Sequence, residues 1–327
     1  MSDVNVEQRL EQFRSNVRLV REEVGRVIVG NDAVIDGVLT CLLARGHVLL
    51  EGIPGVGKTK LVQTLADALR LKFSRIQFTP DLMPGDIVGT SIVREDEAGR
   101  KYFEFQPGPI FANLVLADEV NRATPKTQSA LLEAMQDNSV SAGNATRPLE
   151  QPFFVLATMN PLEMEGTYPL PEAQLDRFLL EIDVGYPDLA AERAMLLATT
   201  GASEAKPVQA MTGAELLAAQ MLIRRLPVGE GVVDAILKLV RGARPETTEI
   251  EDVRRHLAYG PGPRAAQALM LATRARAVLD GRLSPSVEDV LALAEPVLRH
   301  RMALNFSARA DGVKLPEILD VLKAQLG

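Results

Sequence analysis

The chain has one cysteine, Cys41, in 327 residues. That excludes an internal disulfide and fits a reducing cytoplasm. Cys41 lies in an apolar helical stretch and reads as core rather than as a nucleophile. The three histidines, His47, His256 and His300, are scattered and share no metal-ligand spacing. No apolar run approaches a membrane span, and the acidic start Met1-Ser2-Asp3 does not resemble a signal peptide, so a cytoplasmic protein without membrane insertion is expected. A basic excess is missing too. Up to Pro187 there are 18 basic and 26 acidic residues, and after it 18 and 17. Neither half carries the positive field needed to grip a phosphate backbone, which disfavours nucleic acid as a main partner. Internal repeats and low-complexity segments are absent. The remaining composition is ordinary and globular, 46% hydrophobic and 24% charged, in a chain long enough for two domains.

Val6, Leu10, Phe13, Val17, Val20 and Val24 recur at steps of three and four, an amphipathic helix over 6–24 that Glu22, Glu23 and Gly25 are expected to end. The apolar turn Val27-Ile28-Val29-Gly30-Asn31 follows, and Asn31 or Asp32 is placed to cap a helix over 33–44. Strand-like apolar runs occupy 47–51, 73–79, 113–117, 153–159 and 179–184, with helical runs over 61–71 and 126–138. Strands separated by helices imply α/β architecture, a five-stranded parallel sheet with helices on both faces. Two β-hairpins interrupt it, one over 87–106 turning at Gly99 and one over 140–151 turning near Gly143-Asn144. From Pro187 onward strand patterns vanish. Helices are expected over 189–199, 213–226, 231–241, 263–279 and 287–305, with a closing helix over 315–326. Gly-Pro-Gly-Pro at 260–263 marks a sharp joint, and Pro263 suits the first turn of a helix. The expected division is an αβα core over 1–187 and a smaller all-helical domain over 188–327.

Between the first strand and its helix, residues 52–59 read G-I-P-G-V-G-K-T. Gly52, Gly55 and Gly57, with Pro54 and Val56 between them, let the backbone turn its N–H groups toward a phosphate at a helix N-terminus. Lys58 can reach the outer phosphates as a point charge, Thr59 can offer its hydroxyl to Mg2+, and Lys60 follows in the same turn. This strand–loop–helix context implies a bound nucleoside triphosphate.

Asp118 stands at the C-terminal end of an apolar strand, where a phosphate-loop protein holds its magnesium ion. Glu119 directly follows, and a carboxylate there can polarise an attacking water, which implies hydrolysis. The alternative, a solvated strand end, is weak beside a complete phosphate loop. Asn160, at the tip of the next strand, is placed to orient that water or touch the outer phosphate. The chain has no Asn-Lys-x-Asp guanine-reading motif.

G-I-P-G-V-G-K-T at 52–59, L-A-D-E-V-N-R-A at 116–123, A-T-M-N-P at 157–161, P-E-A-Q-L-D-R-F at 171–178 and G-P-R-A-A at 262–266 together resemble the MoxR family of AAA+ ATPases. The magnesium chelatase ATPase subunit shares this layout. The resemblance implies ATP and Mg2+ as cofactors. Lys58 and Thr59 match the Walker A pair, Asp118 and Glu119 match Walker B, and Asn160 matches sensor 1. Arg177 matches the arginine finger that reaches a neighbouring subunit's nucleotide, with Arg122 as a rival, and Arg264 matches sensor 2. The turn holding Val29 and Gly30 falls where adenine is seated, and the two hairpins match the insertions of this clade. The resemblance further implies a homo-hexameric ring with a helical lid, a partner carrying a von Willebrand factor A domain, and chaperone-like work in complex maturation or metal and cofactor insertion. A chelatase-like motor subunit and a nucleic-acid motor stay open beside it.

Overall fold

A computed structural model describes residues 3–52, 57–142, 145–161, 166–200 and 205–326. Pro54, Gly55 and Val56 of the expected phosphate loop and the turn at Gly143-Asn144 lie outside the described residues. The apolar runs form strands β1 (His47–Gly52), β2 (Phe73–Gln77), β3 (Leu114–Asp118), β4 (Phe154–Met159) and β5 (Phe178–Val184). They make one parallel sheet in the order β2-β3-β4-β1-β5. Val48, Leu49 and Leu50 of β1, Leu114 to Ala117 of β3 and Val155 to Ala157 of β4 are all fully buried, as strands covered on both faces must be.

Side chains alternate between the two faces. Val48, Leu50, Leu114, Leu116 and Leu156 pack with helices α1 (Asp3–Val27), α2 (Asp32–Leu43) and α3 (Lys58–Leu69). Leu49, Val115, Ala117 and Val155 pack on the other side, with Leu131, Leu132 and Met135 of α4 (Pro125–Asp137). Each large side chain so buried contributes about 1.5–3 kcal/mol. His47 belongs to this packing. Its Nδ1 accepts the Val155 N–H at 3.0 Å, so the ring proton sits on Nε2, which faces the Met135 carbonyl at 3.1 Å. Burial pushes its pKa down to about 4, keeping it neutral.

Helix α1 runs through Gly25 rather than ending before it. Val24 and Ile28 are both buried, and that anchorage exceeds the roughly 1 kcal/mol helical cost of a glycine. Asn31 is the N-cap residue of α2, but its side chain makes no capping bond. The first hairpin pairs Gly89–Glu95 with Lys101–Pro107, preceded by a one-turn helix, Pro84–Val88; the second pairs Ser139–Ala142 with Ala145–Pro148. They touch through Arg147, whose guanidinium lies 3.7 Å from the centre of the Phe105 ring.

After β5 come α5 (Leu189–Thr199), α6 (Gly213–Ile223), α7 (Glu230–Gly242), α8 (Pro263–Leu279), α9 (Val287–Leu298) and α10 (Leu315–Ala324). None of the residues of α5 is buried. A short antiparallel pair, Leu257–Tyr259 with Ala303–Leu304, joins these helices and was not signalled by periodicity. The expected helix over 287–305 stops at Leu298, and Arg299–Arg301 make a 3-10 turn. Tertiary contacts take over there. Buried Arg301 donates to Asp176 Oδ1 at 2.7 Å, to the Phe178 carbonyl at 2.6 Å and to the Leu179 carbonyl at 3.2 Å. His300 Nε2 faces the Phe178 carbonyl at 3.1 Å.

Arg301 thus clasps the helical lid to the start of β5. Replacing it by alanine leaves Asp176 with only Arg264 at 3.9 Å and takes donors from several carbonyls, so Arg301→Ala is expected to lower stability by about 2–4 kcal/mol. Urea unfolding measures this against Arg193→Ala, on exposed α5, which should change stability by no more than about 0.5 kcal/mol.

Candidate active site

Parallel strands all end at one edge, where ligands of such sheets lie. Gly52, Gln77, Asp118 and Met159 end β1, β2, β3 and β4 there, around a cavity of about 420 Å³ that Gly57, Lys58, Thr59, Lys60, Glu119, Thr158 and Asn160 also line. A Cβ on Gly52 would lie 2.4 Å from the Val184 carbonyl oxygen, so only glycine lets β1 pass into the loop beside β5. Gly57 adopts a left-handed φ of +80° and opens α3. The N–H groups of that first turn have no acceptor within the helix. Lys58 Nζ donates to the Gly52 carbonyl at 2.6 Å. Burial pulls its pKa down, and the carboxylates of Asp118, Glu119 and Glu51 oppose that shift.

Both acidic residues are held by neighbours. Asp118 Oδ1 accepts from the Thr158 hydroxyl at 2.6 Å, and Oδ2 accepts from Arg75 Nη2 at 2.6 Å and Nε at 3.2 Å. Glu119 sits at φ +58°, a backbone state costing roughly 1–2 kcal/mol outside glycine. Its N–H donates to Thr158 Oγ1 at 2.8 Å, so Thr158 supports the turn while holding Asp118. Glu119 Oε2 accepts from Gln77 Nε2 and from Arg122 Nη1, both at 2.9 Å. Asn160 is buried beside them.

Lys58, Thr59, Lys60, Asp118, Glu119 and Asn160 therefore share one cavity. Other expected site residues do not join them. Val29 and Gly30 are not among its lining residues; a Cβ on Gly30 would lie 2.2 Å from Ala191 Cβ, so this turn meets the first turn of α5 instead. Arg177 and Arg264 lie at the opposite edge. Arg177 immediately precedes Phe178, which pairs with His47 at the start of β1, and Arg177 Nη1 donates to the Leu132 carbonyl at 2.7 Å. Arg264 Nη1 is 3.9 Å from Asp176 Oδ2. With Arg45 and Arg301 these two line a second cavity of about 240 Å³. Arg122, bound to Glu119 of its own chain, is on the Lys58 side.

Three residues of the site were missed in the sequence. Arg75 and Gln77 stand two apart on an edge strand, so their side chains share a face; polar residues at that spacing were the available signal. Thr158, a hydroxyl inside the apolar run ending in Met159, was another.

The donor set suits the expected ligands. The Thr59 hydroxyl and the Asp118 carboxylate are hard oxygen donors of the kind Mg2+ takes, and a guanidinium at Asp118 Oδ2 shows that this carboxylate is balanced by a cation. Thr59 and Asp118 would hold the ion, and Lys58 with the first turn of α3 would hold phosphates.

A second charged cluster borders the loop. Arg299 reaches Glu51 at 3.3 Å, Glu181 at 3.2 Å and Asp183 at 3.3 Å, joining the lid to β1 and β5. Burial, then the nearby Glu51 carboxylate, push Glu181 up to about 7 from its ordinary 4.5, against the pull of Arg299. A carboxyl with a raised folded-state pKa adds stability that is complete below the unfolded value and lost as pH rises through the folded one. Between pH 4.5 and 7 this group alone should lower stability with pH, by at most about 1.4 kcal/mol per unit. Glu181→Gln should remove that component, read as a flatter urea-midpoint profile over the same window.

Comparison with known proteins fits this geometry. Residues 47–180 match the ATPase family associated with various cellular activities (AAA), and residues 250–321 match the AAA lid domain. The chain is similar to Chaperone MoxR1 of Mycobacterium tuberculosis, 46% identical over 298 residues that cover 91% of this chain and 78% of the relative. Protein MoxR of Paracoccus denitrificans is 30% identical, with 97% of each chain covered. A crystal structure of a Cytophaga hutchinsonii protein assigned as an ATPase superposes with a TM-score of 0.90 at 39% identity, covering 97% of this chain and 96% of that one.

Proposed function

The chain belongs to the MoxR family of AAA+ ATPases and hydrolyses ATP, and on that premise we propose that it binds Mg-ATP at the Lys58–Asp118 cavity and turns it over at the interfaces of a homo-hexameric ring. The observation that carries this reading is the separation of the two arginines from the cavity. Strand β1 has six residues, ~20 Å at about 3.3 Å per residue, and Arg177 and Arg264 stand at its far end. A guanidinium at that distance does not serve its own chain's nucleotide. In this reading it serves the nucleotide of a neighbour, and a head-to-tail contact of that kind makes a ring where the rotation closes.

In this reading Lys58 anchors the outer phosphates and Thr59 and Asp118 hold the cation. When bound, magnesium supplies charge neutralisation across the outer phosphate oxygens. Asn160 orients the attacking water and Glu119 accepts its proton. Glu119 Oε2 is engaged by Gln77 and Arg122, so catalysis needs that pairing to loosen. The lid, proposed to begin after Pro187, carries the resulting motion to a client. The name of one relative, Chaperone MoxR1, supports chaperone-like remodelling. We propose from the family resemblance that the work lies in complex maturation or metal and cofactor insertion, beside a partner with a von Willebrand factor A domain.

Glu119→Gln should keep ATP affinity and lower turnover by about two to four powers of ten, the usual contribution of a positioned general base. Equilibrium binding and steady-state phosphate release measure the two separately. Arg177→Ala should bind ATP normally and lose about three to five powers of ten in hydrolysis, as for other arginine fingers. Mixing it with Lys58→Ala subunits should restore activity, because interfaces then form with an intact cavity on one side and an intact arginine on the other. Absence of rescue, with mixed assembly verified, sinks the shared site; tight ATP binding by Lys58→Ala sinks the cavity assignment.

A further inference from the structure

We infer that Arg75 is a resident counter-cation for Asp118, a positioning residue that keeps this carboxylate closed to a free divalent cation until nucleotide phosphates arrive with the ion. The inference rests on the reading of Asp118 as a magnesium-holding carboxylate. Arg75 lies on the edge strand β2, opposite Leu116 of β3, and Gln77 lies opposite Asp118. From there the guanidinium reaches along the strand and places two donors on one oxygen, Nη2 at 2.6 Å and Nε at 3.2 Å from Asp118 Oδ2. The Thr158 hydroxyl occupies Oδ1 at 2.6 Å. Both oxygens are therefore engaged, and the group on Oδ2 carries a full positive charge that repels a second cation.

The same guanidinium is wired to the general base. Arg75 Nη2 also donates to Gln77 Oε1 at 2.7 Å, and the amide nitrogen of Gln77 donates to Glu119 Oε2 at 2.9 Å. One amide links the guanidinium on Asp118 to Glu119, its oxygen on the arginine and its nitrogen on the glutamate. When Arg75 leaves Asp118, Gln77 loses the partner that orients its amide, and its hold on Glu119 loosens. Arg75 is about half exposed, so it can swing to solvent or to phosphate without disturbing packed core. A bare ion offers no anionic group to receive the displaced guanidinium; an ion carried by a triphosphate brings phosphate oxygens that do. The arrangement thus discriminates between free Mg2+ and Mg-nucleotide.

The test uses the full chain without nucleotide and Mn2+ as the probe, with bound ion read by electron paramagnetic resonance. Arg75→Gln should bind free Mn2+ at least about tenfold more tightly than the native chain, the low end of what one unit charge exerts at this range. Arg75→Lys, which keeps the positive charge, should stay close to native, and Asp118→Asn added to Arg75→Gln should abolish the gain. Unchanged Mn2+ affinity in Arg75→Gln overturns the inference. So does a large loss of Mg-ATP affinity without a gain in Mn2+ binding, which would make Arg75 a phosphate ligand only. If Arg75→Gln does not fold by circular dichroism, the neutral Arg75→Met carries the test, and affinity equal to native then overturns it. The nucleotide reading is tested apart, by ATP binding to Lys58→Ala, so the two can fail independently.

Discussion

Strands that run in one direction must all begin at one edge of the sheet and end at the other. Burial of both faces enforces that direction here, because connections between parallel strands run over the faces as helices. The consequence is a polarised molecule. The ends of β1 to β4 bring Gly52, Gln77, Asp118 and Asn160 to one edge, with Lys58 opening the helix that follows β1. The start of β5 carries Asp176 and Arg177 to the other edge, and Arg264 meets them there from the lid. A chain built this way has Lys58, Asp118 and Glu119 on one side and Arg177 and Arg264 on the other. The proposed ring follows from that asymmetry, since two copies placed head to tail bring the complementary edges together.

Charge balance is the second constraint on the site. Partly buried charges are costly unless they are paired and hydrogen-bonded. Asp118 is satisfied by Arg75 and Thr158, Glu119 by Gln77 and Arg122, and Lys58 by the Gly52 carbonyl. Without ligand the groups expected to do chemistry are thus engaged with one another or with backbone. In the proposed mechanism, activity exchanges those pairings for pairings with phosphate, ion and water, at little net change in the number of satisfied groups.

Much of this was legible in the sequence, for identifiable reasons. Strands β1, β3 and β4 are nearly continuous apolar runs because both their faces are covered, so period and boundaries agree. The loop at 52–59 and the Asp118-Glu119 pair are local signals set by chain geometry alone. Arg75 was not legible, since its partner is 43 residues away and its own strand gives only a polar residue on an edge. The extra turn of α1 past Gly25 depends on Val24 and Ile28 being buried against elements elsewhere in the chain. The end of α9 at Leu298 was hidden for the same reason: 287–305 reads as helix by local propensity, and Arg299 and Arg301 leave that helix for carboxylates at Glu51, Glu181 and Asp176. Pattern reasoning located Val29 and Gly30 as a turn, while their contact with Ala191 depends on where α5 settles.

Arg299 and Arg301 also join the lid to the core, each at a different end of β5. Arg301 ties the lid to the start of β5 through buried carbonyls, a contact that offers little freedom. Arg299 meets three carboxylates on β1 and β5, and one of them, Glu51, directly precedes Gly52. Three acidic groups around one guanidinium leave excess negative charge, and Glu181 is already poised between charged and neutral near pH 7. Lys58 feels Glu51 as well as Asp118 and Glu119. The lid is thereby joined to the core twice, by buried bonds at the start of β5 and by a part-exposed ion cluster beside Gly52.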